Sequence, residues 1–324
     1  MNPTLIWDMT LSWGRRFRDR STLPRLRAAG YGVVGLTIGS DQSAEARREA
    51  EAGIAFVTDW IAAHPAGYLL VRTADDARRA RRDGMLGIEL NFQGIGPLEG
   101  RVEMLRYFHE LGVRHIGLVW NDVNLAGCSA TRGEDTGLTS HGKALIHEME
   151  RVGIMVDGAH ASYRTVMDAI AVSTKPFIVS HANVAALADG YKNLKDDQIV
   201  ACAATGGVIG ISGLGTYLDD LRATPEAMFR QIDHVTQLVG VAHVGLGLDY
   251  VTDIPAFWTL VSEKPEIWPA SDGGPMPRSA FFEPEGVHEL RERLERAGYS
   301  AADVVAPADS ATSSSRNVVL RTLP

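Results

Sequence analysis

Short apolar runs alternate along the chain with segments whose apolar residues recur every three or four positions. The runs are rich in β-branched residues and apolar on both sides, which is typical of parallel strands covered by helices on both faces. Eight runs predict strands, at residues 5–10, 31–38, 85–91, 115–121, 153–157, 175–180, 206–212 and 243–249. The intervening periodic segments predict helices at 22–29, 43–63, 74–82, 98–111, 140–152, 163–172, 196–204, 225–239 and 285–297.

Eight strand and helix units that close on themselves form a (β/α)₈ TIM barrel, and this is the fold that we predict. An open, doubly wound sheet is the alternative, but it usually carries a glycine-rich phosphate turn after its first strand, and residues 7–16 contain none. We expect one barrel domain over 1–305 and an Ala/Ser-rich tail over 306–324. The Pro-, Gly- and Trp-rich segment 255–282 is predicted to be a long loop over the barrel mouth.

Composition and charge exclude several classes of protein. The chain has 324 residues with 45% hydrophobic and 22% charged side chains, which is ordinary for a globular protein. A formal net charge of −8 leaves no basic excess to neutralise phosphates, so we expect no nucleic-acid partner. Two cysteines provide no disulfide framework, and we find neither a signal peptide nor an apolar run of membrane-spanning length. The predicted location is the cytoplasm, away from any membrane.

Polar residues stand at the carboxyl ends of the predicted strands, where barrels of this kind carry their catalytic side chains. They are Asp8, Glu89, Trp120, Asn121, His160, His181 and Asp249. Two imidazoles and three carboxylates without a thiolate suit Zn²⁺, and Mn²⁺ or Co²⁺ as well. The pattern therefore predicts a site for one or two metal ions, with Glu89 placed to bridge two of them.

Each candidate ligand also has a purely structural interpretation. A lone histidine is usually an ordinary core or surface residue, and we apply that interpretation to the other eight histidines, His115 among them. His160 and His181 differ, because they follow neighbouring strands at the same face of the barrel. A carboxylate after a buried run, such as Glu89, must be paired or coordinated. The position of Asp157 suits an internal hydrogen-bond partner as well as a metal ligand. The same two interpretations are open for Asp8.

At these residues the sequence resembles the membrane dipeptidase (renal dipeptidase) family of zinc metallopeptidases, from the first strand to about residue 301. The matching pieces are 87–89, 137–142, 149–157, His160, Ser180 with His181, 193–197 and 245–249. The resemblance implies a binuclear zinc (β/α)₈ hydrolase that cleaves dipeptides, often with a D-residue at the second position. It also implies that Glu89 bridges the metals, His160 and His181 hold one of them, and Asp249 binds the other and accepts a proton. A homodimer is a further implication.

The chain departs from the family pattern at three places. The His-x-Asp pair of the first strand is replaced by Asp8 and Thr10, which weakens the second metal site or favours a harder ion there. Trp120 and Asn121 stand where many members have a substrate-contacting histidine. Lys192 replaces the arginine that grips the substrate carboxylate, so the charge remains but the bidentate fork is lost.

These observations predict a metal-dependent hydrolase that cleaves the amide bond of a dipeptide with a metal-activated water. Asp249 is the expected base, Lys192 the expected contact of the substrate carboxylate, and Trp120 and Asn121 the expected neighbours of the substrate. Two alternatives remain open at this point. One is a hydrolase of another small amide or lactone that uses a single metal on His160, His181 and Glu89, and the other is a catalytically silent barrel that binds a small molecule.

Overall fold

Parallel strands build the core of the protein in a computed structural model, which describes residues 6–14, 19–41, 43–131, 134–270 and 274–299. The predicted tail at 306–324 and its boundary at 305 lie outside the described residues. The strands are β1 (Ile6–Ser12), β2 (Tyr31–Ser40), β3 (Tyr68–Leu70), β4 (Leu86–Gln93), β5 (Val113–Gly117), β6 (Met155–Asp157), β7 (Val179–Ala182), β8 (Ile209–Ile211) and β9 (Val244–Leu246).

Eight of these strands follow one another around a barrel in the order β6-β5-β4-β2-β1-β9-β8-β7. The circle closes between β6 and the residues before β7, because Ile178 N donates to Val156 O at 3.0 Å and Gly158 N donates to Ile178 O at 2.9 Å. The prediction of a (β/α)₈ barrel is thus confirmed. β3 is an additional strand that the sequence did not predict, and it pairs with the first half of β4.

Helices cover the outside of the barrel. They are α1 (Thr22–Ala28), α2 (Ala46–Ala63), α3 (Ala74–Arg82), α4 (Met104–Leu111), α5 (Ser140–Val152), α6 (Tyr163–Val172), α7 (Asp196–Ala204), α8 (Gly215–Leu218), α9 (Pro225–Val239), α10 (Ile254–Glu263) and α11 (Val287–Arg296). Within the described ranges, no helix combines the length and the apolar character that a bilayer crossing needs.

The prediction of a loop throughout 255–282 is wrong in its first part, where α10 lies. Asp253 caps this helix by accepting a hydrogen bond from Ala256 N at 2.9 Å, and Pro255 occupies its first turn. Phe257, Trp258 and Leu260 then bury one face of it. Trp and Pro residues favour a loop in the sequence pattern, whereas Pro255 lies in the first turn of the helix and Trp258 packs in the core.

β5 ends earlier than the predicted strand 115–121, and this shift decides where Trp120 and Asn121 stand. After Gly117 the side chain of Asn124 donates to Leu118 O at 3.1 Å, and the Asp41 carboxylate accepts from Trp120 N at 3.3 Å. Side chains therefore replace ladder partners at this point. The loop after β5 carries Trp120 and Asn121 over the barrel mouth.

Two glycines, one in the neighbouring strand β8 and one directly after β9, let their strands approach β7 closely. A β-carbon at Gly210 would lie 2.0 Å from Ser180 O, and one at Gly247 would lie 1.8 Å from the same oxygen. Both distances are shorter than any van der Waals contact, so larger residues there would push the strands apart. This close packing sets the positions of Ser180 and His181 at the end of the barrel.

Candidate metal centre

Three side chains from three strand ends converge at the barrel mouth. Donor atoms of His160, His181 and Asp249 all lie within 4.8 Å of one another. Nε2 of His160 is 2.7 Å from Nε2 of His181, and that atom is 3.8 Å from Asp249 Oδ2. Both histidines are buried. The structure thus brings together three of the five predicted metal ligands.

His160 and Asp249 have a backbone conformation that residues other than glycine rarely adopt. φ is +64° at His160 and +53° at Asp249, both in the left-handed region. Such conformations cost about 1–3 kcal/mol each and persist where surrounding contacts enforce them. Ala130 N donates to His160 O at 2.8 Å, and Asp249 N donates to Thr10 O at 2.9 Å. The chain accepts strain at both positions, which holds their side chains towards the same point.

Hydrogen bonds at the outer nitrogens orient both imidazoles. His160 Nδ1 lies 2.5 Å from Asn121 Oδ1, which can only accept, so this nitrogen carries the proton. His181 Nδ1 lies 2.8 Å from Ser180 Oγ, and that hydroxyl donates to Asp157 Oδ2 at 2.5 Å, so it accepts from His181. The two Nε2 lone pairs then face each other, an arrangement that a cation between them would stabilise. The donor set therefore fits a metal ion.

The electrostatics of the two imidazoles agree with this role. Burial, followed by the nearby charge of Lys192, holds the pKa of His160 and of His181 well below the ordinary value. Both rings are therefore neutral near pH 7. A neutral imidazole with a bare Nε2 is the form of histidine that binds Zn²⁺.

Glu89 lies fully buried in the middle of β4, outside the group of His160, His181 and Asp249. His115 Nδ1 is 3.2 Å from its Oε2, and Asn91 Nδ2 is 3.4 Å from the same oxygen. Its Oε1 has no hydrogen-bond partner among the described residues. A buried carboxylate oxygen without a donor is an open position for a cation, so Glu89 remains a candidate ligand.

His115 is the buried group that the sequence did not distinguish from an ordinary core histidine. It lies between Glu89 and Asp157, with Nε2 3.9 Å from Asp157 Oδ2. Burial disfavours its charged form, but the two carboxylates outweigh that effect and raise its pKa. Asp157 is a hydrogen-bond partner of Ser180, as one of its two interpretations predicted. No local pattern marks His115, because both partners come from other strands.

Asp8 aligns with the strand-one histidine of the family that the sequence resembles. It also lies outside the group of His160, His181 and Asp249. Its Oδ1 accepts from Leu248 N at 2.8 Å and Thr10 N at 3.2 Å, whereas its buried Oδ2 has no partner among the described residues. Burial raises the pKa of Asp8 to about 7, partly opposed by those two backbone donors. Thr10 Oγ1 is 3.4 Å from His181 Nδ1, so this hydroxyl contacts the outer side of a ligand.

Lys192 is a buried cation beside the three-residue group. Its Nζ lies 3.4 Å from Asp249 Oδ2 and 4.8 Å from the centre of the Tyr217 ring. Burial lowers the pKa of Lys192, and Asp249 opposes that shift. Burial likewise raises the pKa of Asp249, opposed by Lys192 and by Gln93. Lys192, which the sequence predicts to contact the substrate carboxylate, thus also contacts Asp249, the predicted base.

Aromatic side chains form the wall above the centre. The Trp120 ring lies 6.0 Å from that of His160 and 5.4 Å from that of Trp268, measured between ring centres. Tyr191 and Tyr217, joined through their hydroxyl groups at 2.6 Å, line a neighbouring cavity of about 600 Å³. The site therefore combines buried polar donors with an aromatic surface, as small-molecule pockets do.

Comparison with known proteins agrees with this geometry. The model of the membrane dipeptidase family (peptidase family M19) matches residues 9–268. An uncharacterised dipeptidase of Schizosaccharomyces pombe is 36% identical over 207 residues, which are 61% of this chain and 50% of that protein. The dipeptidase tcpJ of Claviceps purpurea is 34% identical over 185 residues, which are 56% of this chain and 44% of that protein. The chain thus spans about half the length of these two relatives.

Solved structures share the fold at low sequence identity. An amidohydrolase of Pseudomonas aeruginosa is 22% identical with a TM-score of 0.83, covering 99% of this chain and 95% of that one. A metallopeptidase of Rhodobacter sphaeroides, crystallised with a phosphinate mimic of L-Ala-D-Ala, is 21% identical with a TM-score of 0.75. That match covers 93% of this chain and 95% of the other.

Proposed function

This chain belongs to the membrane dipeptidase family, and on that premise we propose that it is a metal-dependent hydrolase of dipeptides. The observation that carries the proposal is the pair of neutral, buried imidazoles whose bare Nε2 atoms face each other at 2.7 Å beside Asp249. A binding protein without catalysis has no need for this arrangement. The Rhodobacter sphaeroides metallopeptidase was crystallised with a phosphinate mimic of the dipeptide L-Ala-D-Ala. This ligand supports L-Ala-D-Ala as a first substrate to test.

His160, His181 and Asp249 would hold the metal ion, with zinc as the expected ion and Mn²⁺ or Co²⁺ as other candidates. When bound, such an ion polarises the amide carbonyl and lowers the pKa of a water molecule. Asp8 and Glu89 each offer a buried carboxylate oxygen that has no partner among the described residues, and these oxygens suit a second ion. Because that second set contains no imidazole, we expect it to bind more weakly and to favour a harder ion than zinc.

Asp249 and Lys192 would divide the remaining chemistry. Asp249 Oδ2 is the carboxylate oxygen nearest to both His181 and Lys192, so it is placed to accept the proton of the attacking water. The Lys192 ammonium has three N–H donors and can hold the substrate carboxylate while it still contacts Asp249. A dipeptide anchored there would present its amide bond to the metal ligands.

Trp120 and Asn121 would complete the pocket on the side of His160. The Trp120 ring, packed on Trp268, excludes water above the centre and offers an apolar surface to the substrate. Asn121 is buried, and its Nδ2 group has no hydrogen-bond partner at normal distance among the described residues. That group is a donor available to a bound peptide.

Hydrolysis assays test this function directly. The purified chain should cleave L-Ala-D-Ala, L-Ala-L-Ala or both, with more activity when Zn²⁺ or Mn²⁺ is added. Asp249→Asn should lower kcat by about 10²–10⁴-fold, since it removes the proton acceptor. Asp253→Asn, which alters only the cap of α10, is the matched control and should retain activity. Full activity in Asp249→Asn would remove this residue from the mechanism.

A second candidate is a single-metal hydrolase of another small amide or lactone, with Asp249 in place of Glu89 as the third ligand. It is favoured by one observation, that the close group contains His160, His181 and Asp249 but neither Glu89 nor Asp8. Metal-dependent cleavage of such a substrate without dipeptide turnover would support it. The homodimer and the cytoplasmic location stay predictions, and a silent small-molecule-binding barrel stays the alternative outside the enzymes.

A further inference from the structure

Asn121 contacts the candidate metal centre indirectly, through Nδ1 of the candidate ligand His160. Its side chain is 1% exposed, and its Oδ1 lies 2.5 Å from His160 Nδ1. Its own backbone oxygen accepts from Thr131 Oγ1 at 2.9 Å, which fixes the loop at this residue. The amide therefore has little freedom to move away from His160.

The direction of the Asn121 amide decides whether His160 can bind a metal at all. With Oδ1 towards the ring, Nδ1 must carry the proton, and Nε2 keeps a free lone pair. With the amide reversed, Nδ2 would donate to Nδ1, and the proton would move to Nε2. That tautomer cannot bind a cation between His160 and His181. One side-chain carbonyl thus selects the form of the ring that a metal requires.

The other end of the same amide imposes no competing direction. Asn121 Nδ2 is buried and has no hydrogen-bond partner at normal distance among the described residues. The contact of Oδ1 with His160 Nδ1 therefore decides which way the amide points.

We propose that Asn121 is a positioning residue that sets the metal affinity of His160, because its Oδ1 holds the ring in the tautomer with a bare Nε2. The role rests on the proposed function only in requiring that His160 and His181 hold a metal ion. It does not depend on which substrate the protein cleaves.

Zinc affinity, measured by competition with a chromophoric chelator, tests the proposal without any assay of turnover. Asn121→Ala should bind zinc about 10–100-fold more weakly, the usual cost of removing a partner of a metal-bound histidine. Asn121→Asp keeps an acceptor at His160 Nδ1 and should restore an affinity close to that of the unaltered protein. A purely structural role for the asparagine would not be rescued by a buried carboxylate.

Val123→Ala is the matched control, because Val123 lies in the same loop two residues after Asn121 and its side chain is exposed. It should retain zinc affinity, and circular dichroism should show that all three variants are folded. Unchanged affinity in Asn121→Ala, or equal losses in Asn121→Ala and Asn121→Asp, would overturn the proposal. Zinc binding with the expected pattern but without dipeptide turnover would contradict the proposed function and leave this role of Asn121 supported.

Discussion

The two sides of the barrel mouth hold their candidate ligands differently. On one side, His160, His181 and Asp249 each have a specific partner and point to one place, within 4.8 Å of one another. On the other side, Asp8 and Glu89 are fully buried, and each keeps one oxygen without a partner among the described residues. The first side is a ready set of ligands, whereas the second is a pair of carboxylates outside that set.

The difference follows from residue types as well as from the backbone. Only the first side combines imidazoles with residues that fix their protons, namely Asn121 and Ser180. His160 and Asp249 on that side also have left-handed backbone conformations. Asp8 stands where the family pattern has an imidazole, and its Oδ1 serves two backbone N–H groups of the barrel. A carboxylate used in this way has one oxygen left for a cation. We therefore assign the tight metal site to the first side.

The largest expected effect is that of His181→Ala, which removes one of the two facing Nε2 atoms. Bound metal should fall to background in elemental analysis, and dipeptide hydrolysis should be lost with it. His234→Ala removes a histidine that pairs only with Asp196 at the surface and should retain both properties. If His181→Ala still binds metal as tightly as the unaltered chain, the tight site is not on this side.

A smaller effect is expected from Lys192→Met, which removes the cation and keeps the length of the side chain. A hydrogen bond to a charged group contributes about 1.5–3 kcal/mol, so KM for a dipeptide should rise about 10–100-fold. A dipeptide amide, which lacks the carboxylate, should show little difference between the two proteins. An equal loss for the amide and the free dipeptide would show that Lys192 acts through Asp249 and not on the substrate.

The smallest effect concerns the second side. Replacing Asp8 by His together with Thr10 by Asp restores the family's His-x-Asp pair, and we expect the tighter binding of a second zinc ion per chain. Thermal stability with added zinc should rise, because an ion that binds only the folded chain stabilises it. Asp8→His alone, without the new carboxylate, should give a smaller gain in zinc binding and in thermal stability. If the double variant binds no additional zinc, residues outside the first strand limit metal binding on the side of Asp8 and Glu89.

Much of the fold was predictable because local pattern and tertiary structure agree. Runs such as 31–38 and 85–91 are apolar on both sides, and they form β2 and β4 of the barrel. The elements that were missed lack such a pattern. β3 has only three residues, and α10 follows its capping residue Asp253 and has Pro255 in its first turn, a pair that from sequence alone resembles a turn.

The centre itself was predictable in part. That His160 and His181 lie close together was predictable, because both stand at strand ends on the same face of the barrel, and that face is known from the fold. The buried contacts of His115 with Glu89 and Asp157, and of Lys192 with Asp249, could not be identified in this way. Each joins residues on different strands or loops, and no spacing along the chain encodes such a pair.

The most direct test of the account is the metal content per chain after saturation with zinc and removal of weakly bound ions. We predict one tightly held ion in the unaltered protein, its loss in His181→Ala, and its reduced affinity in Asn121→Ala. A second ion should appear only at high metal concentration. A chain that holds no stoichiometric metal, or that holds two zinc ions with equal affinity, would contradict the assignment of the tight site to His160, His181 and Asp249.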